Sequence, residues 1–581
     1  MALIIGRMLL LPRLLSLHKP YWNSTMQSRW LVTTRNAGHS VETSVRHSLK
    51  MKAFLSLLPW LALAAADAKS DTNAVCEYLY DKYPKYFAWD TLGPHALQTL
   101  SNASTYHDIN SVYWNAQNRL FRAACAFFPG NAEQVSDAVK QLNKHPEARF
   151  ALKSGGHQPA PGFSSTDGGV IISFEPNLAD TVRTEDGKHF IVGPGARWGD
   201  SYAVTQKTNQ VVVGGRLSHI GVGGFAVGGG LSFYSAQYGL TCDNVDQWEV
   251  VLADGTALNA TRDENADLWW ALRGGGNQFA IVTRMWMQAH PLGDNGKVWG
   301  GTRAYSSDKK DELFKAVANF VRDYPDKKAA VIPTFQFGLP GNLINAIGGP
   351  LFFFFYDGET PPPGVFDEFD AIDALSDETG TKPYTDITGA AGGASLQGFG
   401  ASFRELTFPN LPTENMTAFY DGVYDRVYKQ SLKDGLLNLN IQIMGFDPQP
   451  VSKLIAQASQ DQGGNALGLD PSSGDRIWIE NNLLWTGNLC NDNCPTYSED
   501  VMNDILDFSK STFGGMEPTN YESGDVDFVS YNPLFMNDAA PNQDVYSSYG
   551  QDSLQKLQAA KQKYDPSGFF TNRQGGFKLP P

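Results

Sequence analysis

The sequence predicts an α+β protein with two core-forming parts, and three observations carry that reading. In the first part, short apolar runs alternate with stretches of helical spacing. Beyond about Pro291 the strands lengthen and show period-two alternation, the mark of an antiparallel sheet with one apolar and one polar face. Glycine is concentrated in between: 22 of the 57 glycines fall between Lys153 and Gly276, a density that marks unusual backbone conformations or close approach to a ligand.

Taken in chain order, the leader comes first. The 581 residues carry a formal charge of −15, but residues 1–50 hold seven Lys or Arg against the single acid Glu42, a surplus of +6, which leaves −21 for the rest. From Met51 the chain reads Met-Lys, an apolar run Ala53–Ala66 and small residues to Ala68, the pattern of a secretory signal peptide. The run is shorter than the ~20 apolar residues of a membrane span. Residues 51–68 are therefore expected to be a signal peptide and the product secreted or in the secretory pathway. The basic stretch 1–50 reads as a gene-model extension, with mitochondrial targeting as the alternative. The acidic body lacks the basic footprint that nucleic acid requires.

A short strand Ala124–Phe128 stops at Pro129-Gly130, and Asn131 can cap a helix in which Val135, Ala138, Val139 and Leu142 recur at helical spacing. Strands follow at Phe150–Leu152, Val170–Phe174, Phe190–Val192, Val211–Val213 and Trp248–Ala253, then an Asp254-Gly255 turn and a last strand near Phe279–Val282. In the second part, Leu351–Tyr356 is an aromatic strand, and Leu437–Met444 sets Leu437, Leu439, Ile441 and Ile443 against Asn438, Asn440 and Gln442. Helices are expected at Lys310–Tyr324, Thr413–Gln430 and Ser498–Thr512, and a loop at Gly392–Gly400. Of five cysteines, an oxidising compartment would pair Cys76 with Cys125 and Cys490 with Cys494, leaving Cys242 over. Sequons at Asn102, Asn259 and Asn415 permit N-glycans. No metal site is expected.

The chemistry-bearing motifs are glycine loops. Gly221-Val222-Gly223-Gly224-Phe225-Ala226 fits a dinucleotide fingerprint with Asp243 downstream, but Asp243 precedes its strand, and Gly228-Gly229-Gly230 stands where the helix would pack, so NAD(P) is set aside. No G-x-S-x-G elbow, P-loop or H-E-x-x-H is present. What remains is an ordered set: Ser154-Gly155-Gly156-His157-Gln158; Gly214 through Ile220 and Gly221 to Gly230; Tyr238-Gly239 through Asp243 to Val245; and Asp267 through Gly274-Gly275-Gly276 to Asn277. Consecutive glycine amides form anion-holding nests, which suits a pyrophosphate on an acidic protein.

The order and wording of these loops resemble the flavoproteins related to vanillyl-alcohol oxidase and p-cresol methylhydroxylase, in their berberine-bridge-enzyme-like branch. The resemblance runs from about Arg122 to Pro291 and returns at Tyr564-Asp565-Pro566-Ser567-Gly568-Phe569-Phe570. It implies a p-cresol-methylhydroxylase-type FAD domain over residues 69–291 with its core at about 117–291, an α+β substrate domain over 292–533 with an antiparallel sheet, and a C-terminal segment 534–581 returning to the flavin. It implies FAD joined through His157 and lined by the four loops together with Ile281 and Val282. Many relatives add a cysteinyl link at the position of Leu217, so a single link is expected here. Ile220 stands where relatives set oxygen access.

The implied chemistry is hydride transfer to flavin from a small alcohol, phenol or polyketide-like substrate, with oxygen or another acceptor completing the cycle. An oxidative cyclase, a carbohydrate oxidase or an inactive flavin-binding protein are the alternatives. The Tyr-x-Asn segment of relatives reads Phe535-Met536-Asn537-Asp538 here, leaving Glu480 and Asp538 as candidate bases. Asn440 and Gln442 are the candidate substrate contacts. If His157 anchors the flavin, denatured protein keeps its yellow colour. His157→Ala should release that colour to the supernatant, and unchanged retention would move the link elsewhere.

Overall fold

The computed structural model describes residues 67–338, 349–390, 398–436, 440–524, 526 and 532–580. The expected signal peptide up to Ala66, the first three residues of the expected 437–444 strand and most of the expected 392–400 loop lie outside the described residues.

A four-stranded sheet sets Phe87–Trp89, Cys125–Phe127, Val170–Ser173 and Phe150–Lys153 side by side, the last three parallel. Helix Ala132–Lys144 begins where the sequence places it. The Asn131 side chain accepts the Gln134 N–H at 3.0 Å, and the Gln134 side chain accepts the Gly130 N–H at 2.7 Å. Its apolar stripe of Val135, Ala138, Val139 and Leu142 is buried in one cluster with Phe127, Phe150 and Ile172. A five-stranded antiparallel sheet follows, in the order Thr181–Arg183, His189–Val192, Ile281–Gln288, Val245–Val251 and Ala257–Thr261. Its last hairpin turns at Asp254-Gly255, where Gly255 takes φ +85°. The expected strand at Val211–Val213 is only the two-residue Gln210–Val211, paired with His290–Pro291.

The second part is an eight-stranded antiparallel sheet. Five neighbouring strands run in the order Gly349–Tyr356, Ala329–Gly338, Ile441–Val451, Arg476–Trp485 and, at the edge, Gly400–Pro409. Helices Lys310–Asp323, Thr413–Leu436 and Cys494–Phe513 cover one face, with Phe314 against Phe335, Phe408 against Phe419 and Phe419 against Phe513. Because side chains alternate along a strand, the neighbours of those phenylalanines, among them Thr334, Gln336 and Thr407, turn to the opposite face. Cys76–Cys125 and Cys490–Cys494 are the disulfides, and Cys242 is free and buried.

The C-terminal segment locks onto the first part. Asp565 accepts the N–H groups of Phe569 and Phe570 at 2.7 and 2.9 Å, holding both rings in the cluster beneath helix Ala132–Lys144. The buried Arg573 guanidinium donates to the carbonyls of Leu142, His145 and Ala148 at the end of that helix, at 2.6–3.0 Å. Tyr546 and Tyr549 donate their hydroxyls to the carbonyls of Gly275 and Gly274. Arg573→Ala removes the guanidinium bonds from three carbonyls, of which those of Leu142 and His145 keep a backbone N–H, and is expected to cost about 2 kcal/mol, read as a lower unfolding midpoint. An unchanged midpoint would make this anchor incidental.

Candidate active site

The site starts from a backbone contact. A Cβ on Gly221 would lie 2.2 Å from the Gly155 nitrogen, and one on Gly155 would lie 2.6 Å from the Gly221 nitrogen, so the first two glycine loops touch only because neither carries a side chain. Ser154 ties them further: its hydroxyl donates to the Pro194 carbonyl at 2.6 Å and accepts the Gly223 N–H at 3.2 Å. Helix Val222–Val227 starts here, and its N-cap Gly221 offers no side chain to its first amides. A Cβ at Gly224 would meet nothing within 4 Å.

These loops form one wall of a cavity of about 560 Å³. Of the residues expected to line a cofactor, Ser154, Gly155, Gly156, His157, Gln158, Ile220, Gly221, Gly223, Gly224, Gly228 and Val282 line it, with Leu217, Gly276 and Asn277. His157 lies with its ring centroid 4.9 Å from Trp114 and 5.0 Å from His219. Burial, with His219 and Arg197 nearby, pushes its pKa down to about 3, so the imidazole is neutral.

Other expected contacts lie outside the cavity lining. Val222 is fully buried with its N–H on the Ala196 carbonyl. Gly229 and Gly230 are occupied by the next turn, their carbonyls accepting the N–H groups of Cys242 and Thr241. The third loop is a structural clamp. Asp243 is fully buried against Arg273 at 2.9 Å, and it accepts Ser459, Asn465 and the Leu240 N–H. Tyr238 stacks on His290 at 3.8 Å beside Gly239, Val245 accepts the Trp269 indole N–H, and Ile281 sits in the core under helix Ala132–Lys144. An acid some twenty residues after a glycine fingerprint has the spacing of a ribose ligand, but here its partner is an arginine of the fourth loop.

The opposite wall is the free face of the large sheet. Ile443, Asp447 and Gln449 reach the cavity from one strand, and Glu480, Asn482 and Leu484 from its neighbour. Asn440 and Gln442 stand outside this lining. The register slips between Ile441 and Ile443, and Gln442 at this bulge donates to the Asn440 carbonyl at the strand end. The bulge passes the cavity face to the odd-numbered residues of the strand, which sequence alternation alone could not show.

Glu480 pairs in register with Asp447 on one side and Glu405 on the other, so three carboxyls share one face of three adjacent strands. Asp538, from the C-terminal segment, joins Glu480 and Asp447 in the cavity wall with Arg216. Burial is the main cause that raises these carboxyls: Asp447 to about 7, Asp538 to about 6, Glu405 and Glu480 well above the usual range. Arg216 bonds the Gln449 oxygen, Gln449 donates to Asp538 at 3.1 Å, and Asn482 donates to Asp447 at 3.0 Å. Phe535 stacks on Trp478 at 4.5 Å, and its N–H donates to Glu405 at 2.9 Å. Asn537 accepts the Gly230 N–H at 3.2 Å, linking this segment to the second loop. Arg216, Asp447, Gln449, Asn482, Asn537 and Trp114 were not singled out by sequence reasoning. Only Arg216 and Asn537, inside recognised segments, carried a signal that could have found them.

Gly221, Gly223 and Gly224 line the cavity without side chains, which allows a cofactor to approach the backbone closely, and the neutral His157 and the unpartnered buried His219 Nε2 fit a heteroaromatic ring beside them. Comparison with known proteins agrees. A family model described as FAD binding domain matches residues 123–261, and one described as berberine and berberine like matches 531–575. An uncharacterized FAD-linked oxidoreductase of Arthroderma benhamiae is 30% identical over 83% of this chain and 92% of its own. FAD-dependent monooxygenase drtC of Aspergillus calidoustus is 31% identical over 82% and 86%. The chain belongs to the berberine-bridge-like FAD-linked oxidoreductases. Its fold is shared with a glucooligosaccharide oxidase from Acremonium strictum that carries a 6-S-cysteinyl, 8α-N1-histidyl FAD, with TM-score 0.61 and 20% identity over 82% of this chain and 96% of that one.

For this FAD-linked oxidoreductase, Gly221→Ala drives a methyl into the Gly155 backbone and should abolish flavin loading. Gly224→Ala should fold normally, because nothing of the protein stands in its way. The ratio of flavin to protein absorbance after purification reads both, and full loading of Gly221→Ala would refute the need for that close approach.

Proposed function

We propose that this FAD-linked oxidoreductase takes hydride from a small alcohol, phenol or polyketide-like substrate, with the Glu480–Asp538 pair receiving the proton that leaves the substrate oxygen. Bound FAD supplies the hydride acceptor, restored by oxygen or another acceptor. The observation that carries the reading is the position of two buried, raised-pKa carboxyls in the cavity wall across from the glycine loops. A base works best with a pKa near the working pH, and burial moves these carboxyls toward it. Phe535 has no hydroxyl to offer, and its stacking on Trp478 leaves it a wall.

The rest of the cavity supports a largely hydrocarbon substrate. Trp114, Ala401, Ile443 and Leu484 form one apolar cluster with Phe403 packed against it, which excludes water from the reacting oxygen. Asn482, Thr334 and Gln336 stand among the lining groups that can orient that oxygen. His157 is the proposed anchor: a neutral imidazole has a lone pair free to bond, and Leu217 in the same wall has no thiol for a second link. The disulfides Cys76–Cys125 and Cys490–Cys494 support passage through the secretory pathway.

The test is a screen of benzylic and allylic alcohols and phenols for anaerobic bleaching of the flavin. The proton acceptor must be ionised to act, so bleaching should quicken as pH rises through about 6, where an unperturbed carboxylate would already be ionised by about pH 5. Asp538→Asn should slow bleaching on the order of 10²–10⁴-fold. Full-rate bleaching in both Glu480→Gln and Asp538→Asn would overturn the assignment.

A further inference from the structure

We propose that Gln449, turned by Arg216, is a positioning residue that keeps the negative charge of the Glu480–Asp538 pair on Asp538. This rests on the reading of that pair as the proton acceptor and assigns a distinct state to each member.

The argument runs through hydrogen-bond polarity. A guanidinium can only donate, so the bond from Arg216 to Gln449 Oε1 fixes which end of the amide faces away. Gln449 Nε2 must then donate to Asp538 Oδ2, at 3.1 Å, and that oxygen can only accept. Two carboxyls in contact at a buried site cannot both ionise, so one proton has to be placed. The neighbours decide where. Asp447 has the Asn482 amide at 3.0 Å, and Glu405 has the Phe535 N–H at 2.9 Å. Asp538 has Gln449. Glu480 is flanked in register by Asp447 and Glu405, with Asp538 before it. It is the member of the group surrounded by acids, and it is the natural holder of the proton.

The charged and titratable groups facing the pair come from every adjoining element: Glu405, Asp447 and Glu480 from the three strands, Asp538 from the C-terminal segment and Arg216 from the second glycine loop. Tyr384 adds its field at Arg216. Arg216 is the cation of this set, and it reaches Asp538 through an amide whose orientation it dictates. A hydrogen bond to the charged form of a carboxyl favours that form; removing it should raise the proton affinity of Asp538.

The experiment needs no substrate. The protonated-carboxyl infrared band of the flavin-loaded protein is followed against pH, and Asp538→Asn identifies the step that belongs to Asp538. Gln449→Leu should move that step upward by about one pH unit, and Arg216→Gln, which frees the amide to rotate, should move it the same way. The second variant decides the matter if the first does not fold. A step that stays in place or moves down in the folded variants, or one that Asp538→Asn fails to remove, overturns the proposal. The anaerobic bleaching of Glu480→Gln and Asp538→Asn separately tests the base, so a fault in that reading shows there and not in the infrared step.

Discussion

The arrangement rests on a row of carboxyls that an antiparallel sheet places side by side on its buried face. Glu405, Glu480 and Asp447 face one another across three strands, where like charges directly opposed are destabilising and burial penalises each ionised form. Such a row persists only if its members are neutral or individually supplied with donors. The surroundings supply them: a backbone N–H for Glu405, an amide for Asp447, and a second amide, oriented by arginine, for Asp538. The same constraint that makes the row costly makes it useful, because a carboxyl held near neutrality can both take and return a proton.

The row matters for chemistry because a second structure faces it. The glycine loops approach each other as closely as bare backbone permits, and the C-terminal segment fixes them in that position. Asn537 bonds the second loop, Tyr546 and Tyr549 bond the fourth, and Arg573 closes the end of the helix behind the first. Residues more than 300 positions apart thus share one cavity wall, and the segment carrying Asp538 is held by the loops it faces.

Much of this was legible in the sequence where the signal is local. The Asn131 cap, the Asp254-Gly255 turn, the helix around Lys310–Asp323 and the order of the glycine loops are short-range patterns with one physical outcome each. Two placements could not be read because they depend on distant partners. Asp243 has the spacing of a cofactor ligand, yet a buried charge goes to the arginine that can pair with it, and Arg273 is that arginine. Asn440 and Gln442 lie on the polar side of an alternating pattern, yet a single bulge at Gln442 hands the cavity to Asp447 and Gln449. Strand register decides that Glu480 meets Asp447 and Glu405, and no window of sequence contains it.

The central claim is that the flavin ring lies between His157 and the carboxyl pair. A crystal structure of the flavin-loaded protein tests it most directly. The account predicts continuous density from His157 to the ring, with Glu480 and Asp538 facing the ring across the substrate space and Leu217 unbonded. A ring placed away from His157, or a carboxyl pair shielded from it behind Phe535, would contradict the account.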